Sequence, residues 1–321
     1  MENMMQYIEI AGLNRPCSKL VLGTDYYSPA LLDSVSELMD AFVAIGGNTL
    51  DTAHIYGGGN SERAIGLWME ARRNRDQVVI LTKGAHHNAA GPRVTPEHIE
   101  RDLMESLERL RTDYVDLYAL HRDDPSVPVG PIIEALNRHI ESGRIRAIGA
   151  SNWTHARLQE ANEYAAAHGL KGFSFSSPNL SLAKPNEPRW PGCVSADEAA
   201  CAWHEATQMP LLSWSSQAGG FFTGRYSPEV REDKEAVRVY YSDANWERLR
   251  RARLLAERRG GESVQIACAY VLNQPFPACA LIGPKNVAEL HSSAAALQIR
   301  LSAQELRWLD LRTDEDPNGE S

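Results

Sequence analysis

The chain has 321 residues and a formal net charge of −9, a length that suits one large α/β barrel or two ordinary domains. A surface of that sign repels polyphosphate, so nucleic acid is not an expected partner, although a small anionic cofactor answers only to local charges. No apolar run approaches the roughly 20 residues that span a bilayer, and Met1-Glu2-Asn3-Met4-Met5 lacks the basic-then-apolar pattern of a secretory signal, so the expectation is a cytoplasmic protein with no membrane partner.

Short apolar runs alternate with helical segments along most of the chain, the pattern of a parallel sheet covered by helices. Leu20-Val21-Leu22-Gly23 reads as a first strand, and a capping box of Ser34 and Glu37 sets the next helix to start at Ser34. Residues 48–51 read as the second strand, 61–70 as a helix and 78–83 as the third strand. Between them Gly57-Gly58-Gly59-Asn60 lacks GxGxxG spacing and reads as a flexible turn, with Asn60 or Ser61 capping the helix. Thr95 caps a further helix, with Pro96 at its first position and Ile99, Leu103, Leu107 and Leu110 on one face. Strands over 114–121 and 145–151 alternate with helices over 131–141 and 154–168, and a sixth strand is expected over 172–176. A long Pro- and Gly-rich loop, 183–192, precedes a helix opened by a capping box of Ser195 and Glu198. Strands over 211–215 and 278–283 complete eight, and Ser302 with Glu305 caps the last helix.

Eight strand-like runs, each followed by helix, predict a single (β/α)8 TIM barrel over residues 1–312 with extra C-terminal helices and a polar, disordered tail over 313–321. The five cysteines, Cys17, Cys193, Cys201, Cys268 and Cys279, include no CxxC pair, and a chain of this size needs no disulfide. Cys193, Cys201 and His204 match no zinc spacing, and His54, His86 and His87 lack partners at a recognisable one, so no metal is expected.

In a barrel the functional residues come from the C-terminal ends of the strands. Those ends carry Asp51, with Tyr56 just beyond it, then Lys83 and His121. Side chains alternate along a strand, so Val79, Leu81 and Lys83 share one face, as do Leu117, Ala119 and His121. If both faces point inward, an ammonium and an imidazole meet beneath the Tyr56 loop. Such a group suits carbonyl reduction, which needs a hydride from one side and a proton for the developing alkoxide. A free tyrosine has a pKa near ~10. An adjacent Lys83 is expected to lower it, Asp51 to hold Lys83 charged, and a neutral His121 to hydrogen-bond the carbonyl.

The stretch from Gly46 through Asn48, Asp51 and Tyr56 to Gly57 resembles the first signature of the aldo-keto reductase superfamily. Lys83, the run Asp113-Tyr114-Val115-Asp116-Leu117-Tyr118-Ala119-Leu120-His121, the run Gly143 to Asn152 and the run Gly219 to Gly224 match its further landmarks in order. The resemblance extends from about Leu20 to Leu297 and implies a catalytic tetrad of Asp51, Tyr56, Lys83 and His121. It also implies an extended nicotinamide dinucleotide across the barrel mouth. Gly23 and Thr24 would lie near the nicotinamide ribose and the pyrophosphate, Asp51 would also contact the cofactor, Ser151 and Asn152 would hold the carboxamide, and Trp214 would stack on the ring where the family usually has tyrosine. Ser215 and Gln217 would embrace the pyrophosphate, and Gly283, Lys285 and Asn286 would receive the adenosine 2′-phosphate. NADPH is therefore the expected cofactor, ahead of NADH.

The pattern departs from the family in three places. The sixth-strand region, Phe173 to Asn179, has no glutamine, Ser292-Ser293 replaces a common Glu-Asn, and Glu289 puts an acid near the expected phosphate. The expected partner is a small carbonyl substrate, an aldehyde or ketone with sugar-derived carbonyls among the candidates, walled by Tyr26, Trp153 and Trp190 beside Tyr56 and His121. Two other functions are weighed: a barrel aldolase using Lys83 as a Schiff-base nucleophile, and a nucleotide-binding redox-sensing subunit.

Overall fold

Two short strands, β1 (Tyr7–Ile8) and β2 (Cys17–Ser18), pair antiparallel ahead of the main sheet. Nothing in the sequence pattern singled them out, since two-residue strands show no periodicity. They place Ile10 and Cys17 in an apolar cluster with side chains of the barrel strands. The structure, a computed structural model, describes residues 5–317 and 319, so the first four residues of the N-terminal stretch read above lie outside the described residues.

Eight parallel strands follow: β3 (Leu20–Gly23), β4 (Thr49–Asp51), β5 (Val79–Gly84), β6 (Val115–Leu120), β7 (Ile145–Ser151), β8 (Phe175–Ser177), β9 (Leu211–Ser213) and β10 (Ala278–Ile282). They close in chain order, β10 pairing with β3 through Ala280, Leu281 and Ile282 opposite Leu20, Val21 and Leu22. This is a (β/α)8 TIM barrel. Its helices are α1 (Leu32–Ala44), α2 (Asn60–Arg72), α3 (Pro96–Leu110), α4 (Val129–Glu141), α5 (His155–Ala167) and α6 (Glu198–Thr207). They continue with α7 (Lys234–Tyr240), α8 (Asp243–Arg259), α9 (Ser263–Leu272), α10 (Val287–Ala295) and α11 (Ala303–Leu309). Among the described residues, no helix is long and apolar enough to cross a membrane.

Alternation along the strands makes two apolar layers. Val21, Val79, Leu81, Leu117, Ala119, Ala147, Phe175, Leu212, Cys279 and Leu281 form one cluster inside the barrel. Leu20, Leu22, Leu50, Ile80, Tyr118, Leu120 and Ile148 belong to the larger layer shared with the helices. Gly149 belongs in neither by size: a methyl there would overlap the Phe175 ring, which fills its place.

Several local expectations shift. Helix α1 begins at Leu32 because a 3-10 turn, Pro29–Leu31, feeds into it, and Ser34 instead donates to the Leu31 carbonyl. The cap of α6 is Asp197, which accepts from Ala200 N, while Ser195 is drawn to the Asn179 side chain. Neither Asn60 nor Ser61 caps α2; the Ser61 hydroxyl is buried against those of Thr24 and Thr52. The sixth strand starts at Phe175, since the Asn162 side chain takes both backbone groups of Phe173. Thr95 and the Ser302–Glu305 box cap α3 and α11 as expected. The start of the tail is held: Arg251 donates to the Thr313 carbonyl and pairs with Asp314, and Arg258 pairs with Asp316.

Candidate active site

Lys83 lies near the C-terminal end of β5 and is buried. Its Nζ is 2.6 Å from Asp51 Oδ1 at the end of β4, 2.9 Å from the Thr52 carbonyl and 3.3 Å from the Tyr56 hydroxyl. The Tyr56 loop is fixed to β5 by backbone bonds from Thr52 N to Leu81 O and from His54 N to Lys83 O. Beyond Tyr56 the chain turns through Gly57, Gly58 and Gly59 at φ +57°, +64° and +86°, a run that side-chain-bearing residues rarely adopt. His121 follows β6, its ring 5.6 Å from that of Tyr56 and nearly perpendicular at 79°. The four side chains therefore meet at one point of the barrel mouth.

Burial acts to lower the Lys83 pKa, but the carboxylate of Asp51 and the Tyr56 oxygen outweigh it and hold the ammonium charged. At Tyr56 burial dominates and pushes the phenol above its ordinary value, with Lys83 pulling in the opposite direction. The expected net lowering is thus reversed, because loss of solvent costs the phenolate more than one shared ammonium returns. Burial, then Lys83 and Arg122, hold His121 well below the usual imidazole range. His121 is neutral at physiological pH, and its Nδ1 has no protein partner.

These residues form the floor of a cleft of about 1420 Å3. Gly23, Thr24, Asp51, Tyr56, Lys83, His121, Ser151, Asn152, Trp190, Trp214, Ser215, Gln217, Gly283 and Lys285 all line it, and it extends to Ser292 and Ser293 of α10. Three expected residues do not. Trp153 is buried against Phe173, with its indole N–H donated to the Arg122 carbonyl. Tyr26 stands behind the wall, its hydroxyl on the Pro284 carbonyl and its ring 3.4 Å beneath Lys285 Nζ. Asn286 is occupied as the α10 cap, accepting from Glu289 N.

Asn152 donates to the His121 carbonyl and the Ser151 hydroxyl and accepts from Val194 N, so it ties three loops together at the mouth. Sequence reasoning missed Asp25, Arg122, Arg189 and Arg225, all on the cleft wall. Arg189 donates to the Ser215 hydroxyl and pairs with Glu235, strapping the 183–192 loop to the segment after β9. No signal could have found it, since its position depends on how two remote loops meet. Among the described residues, no group of three His, Cys, Asp or Glu could hold a metal ion.

The cleft fits a nicotinamide dinucleotide. The Trp214 indole has a buried N–H with no partner and faces Trp190 at 5.9 Å, offering a flat apolar surface to a ring. A Cβ at Gly283 would meet no atom within 4 Å, so bare backbone borders the cleft there. Lys285 adds a cation beside the start of α10, an end of a helix that favours anions.

A (β/α)8 barrel with its cleft at the C-terminal ends of the strands belongs to the class of barrels that do their chemistry at this face. The Aldo/keto reductase family model matches residues 19–311, and the chain belongs to that family, oxidoreductases that reduce carbonyls and generally use nicotinamide cofactors. The chain is 30% identical over 301 residues to the aldo-keto reductase ausK of Emericella nidulans, covering 89% of this chain and 73% of that one. It is 28% identical over 314 residues to the norsolorinic acid reductase stcV of the same organism, covering 90% and 76%. With the uncharacterized oxidoreductase YrpG of Bacillus subtilis it shares 26% identity over 319 residues and 95% of each chain. The crystal structure of a thermostable aldo-keto reductase with the inhibitor epalrestat superposes with a TM-score of 0.75 over 96% of this chain and 99% of that one, at 24% identity, a likeness of fold.

Proposed function

We propose that the protein reduces an aldehyde or ketone, sugar-derived carbonyls included, to the alcohol with NADPH, and that Tyr56 gives the proton. One observation carries this reading: the Lys83 ammonium touches both Asp51 and the Tyr56 hydroxyl on the floor of the cleft, opposite a neutral His121. When bound, the dihydronicotinamide supplies a hydride. Tyr56 keeps its proton until negative charge develops on the carbonyl oxygen, and Lys83 then stabilises the phenolate left behind. His121 orients that oxygen by a hydrogen bond, and Asp51 keeps Lys83 charged and in place. Positioned acid catalysis of this kind contributes ~10²–10⁴-fold.

Ser151 and Asn152 would hold the carboxamide, Trp214 the ring face, Ser215 and Gln217 the pyrophosphate, and Gly283 and Lys285 the adenosine end. Trp190 would wall the substrate. The Schiff-base alternative loses support because an ammonium with three polar partners, one of them a carboxylate, is not a free amine. The test is a panel of aldehydes, ketones and sugars with NADPH and with NADH, following cofactor oxidation. Carbonyl-dependent oxidation of NADPH is expected. Tight cofactor binding with no turnover across the panel would favour the redox-sensing subunit instead.

A further inference from the structure

The wall beside Tyr56 and His121 carries a cation with no counter-charge. Arg122 directly follows His121 and is 7% exposed. Its Nη1 donates to the His121 carbonyl at 2.8 Å and its Nε to the Pro191 carbonyl at 3.3 Å. Those bonds fix the plane of the guanidinium but neutralise nothing. Among the described residues no carboxylate pairs with it and Nη2 donates to no acceptor. The other two buried arginines differ: Arg93 pairs with Asp102, and Arg251 with Glu247 and Asp314.

Nothing nearby substitutes for the missing anion. Burial pushes the Cys193 thiol up despite Arg122, so it is not a thiolate. Burial holds His86 down at about 4, and His121 is neutral too. Asp51 is taken by Lys83. Asp25, exposed on the cleft rim, acts on Asp51 and Tyr56 but is not among the charges felt by Arg122. A buried cation without a partner is costly, and protein sites normally supply an anion. Arg122 lines the cleft, and a guanidinium with free hydrogens on Nη1 and Nη2 matches a carboxylate in two parallel bonds.

We propose that the substrate is an oxo acid: its carboxylate is held by Arg122 while its aldehyde or keto group lies at Tyr56. With Lys83 paired to Asp51 and Arg189 to Glu235, Arg122 is left to balance one negative charge, which favours a carboxylate over a phosphate dianion. The proposal rests on the reduction put forward above and makes Arg122 the residue that selects among carbonyls.

The test uses the full chain with NADPH and compares para-carboxybenzaldehyde and succinate semialdehyde with their amides, which match them in shape but lack the charge. In at least one pair the acid should exceed its amide in kcat/KM by roughly tenfold or more, chiefly through KM. Arg122→Met should bring the ratio close to one, and Arg122→Lys should restore part of it. NADPH affinity and thermal midpoint serve to show that both variants fold. A second arm needs no turnover: benzoate should bind the NADPH complex more tightly than benzamide, and lose that advantage in Arg122→Met. Equal use of acid and amide with equal binding of benzoate and benzamide would overturn the proposal, as would a preference that survives Arg122→Met. Better turnover of glyceraldehyde 3-phosphate than of either oxo acid would overturn the choice of carboxylate. If no carbonyl is reduced yet benzoate binds through Arg122, the anion site stands and the reductase reading falls.

Discussion

Tyr56 and His121 both line the cleft floor, yet burial moves their proton affinities in opposite directions, the phenol up and the imidazole down. The sign of each shift sets the pH dependence of reduction. The proposed proton donor, Tyr56, is lost only as pH rises through its raised value, so kcat should not fall before pH passes the ordinary tyrosine value of ~10. His121 is already neutral at physiological pH, so no limb should appear near the ordinary histidine value of ~6.5. A pH–rate profile checks both, and a limb near neutrality that vanishes in His121→Gln would contradict the imidazole assignment. Lys83→Met removes the influence that pulls the Tyr56 pKa down, making the phenol a weaker acid, and should lower kcat by ~10²-fold or more.

The other end of the cleft is more evenly balanced. Lys285 would favour a 2′-phosphate, but the Glu289 carboxylate accepts from Lys285 N and lies one turn away, so the proposed preference for NADPH should be modest. Lys285→Ala should weaken NADPH far more than NADH in a fluorescence titration, and Glu289→Gln should strengthen NADPH selectively. Equal effects on both cofactors would mean that the phosphate is held elsewhere.

The Tyr56 loop owes its place to α2 and α3. Arg109 on α3 donates to the His54 carbonyl and pairs with Glu105 and with Glu62 of α2, which is fully buried and takes the Thr82 hydroxyl. Arg109→Ala leaves a buried carboxylate without its cation, and urea denaturation should show a loss of ~3–5 kcal/mol. A loss below ~1 kcal/mol, the range of an exposed pair, would show that Glu62 finds solvent. The strands were legible as short, nearly continuous apolar runs buried on both faces, and most helices because they carry a period of 3.6 and because Thr95 and Ser302 cap helices by local chemistry alone. Ser34 and Ser195 satisfy the same local rule and do not cap, since a preceding 3-10 turn and the Asn179 side chain compete for them. Helices α7, α8 and α9 went unread: the first is a single short segment, the second is so rich in arginine that its apolar face is narrow, and the third is apolar almost all round and so shows little helical period.

Closure of the barrel converts strand-end positions into neighbours, which is why the spacing of Asp51, Lys83 and His121 along the chain carried spatial meaning. Inward alternation fixes which residues of β5 and β6 reach the mouth, and Lys83 shares its face with Val79 and Leu81 in the interior cluster. Loop residues have no such rule. Trp153 looked like a pocket wall and instead packs on Phe173, while Arg122 and Arg189 reach the cleft through contacts with Pro191 and Ser215 that only the assembled loops create. The cleft thus has a floor from the strand ends beneath a strap of loop segments.

The most direct measurement is steady-state reduction by Tyr56→Phe, paired with a fluorescence titration of cofactor. The hydroxyl is the only group removed, Lys83 keeps Asp51, and the Trp214 face is untouched. Cofactor should therefore bind nearly as in the parent while turnover falls by ~10²-fold or more. Full turnover in that variant would show that the proton comes from another group.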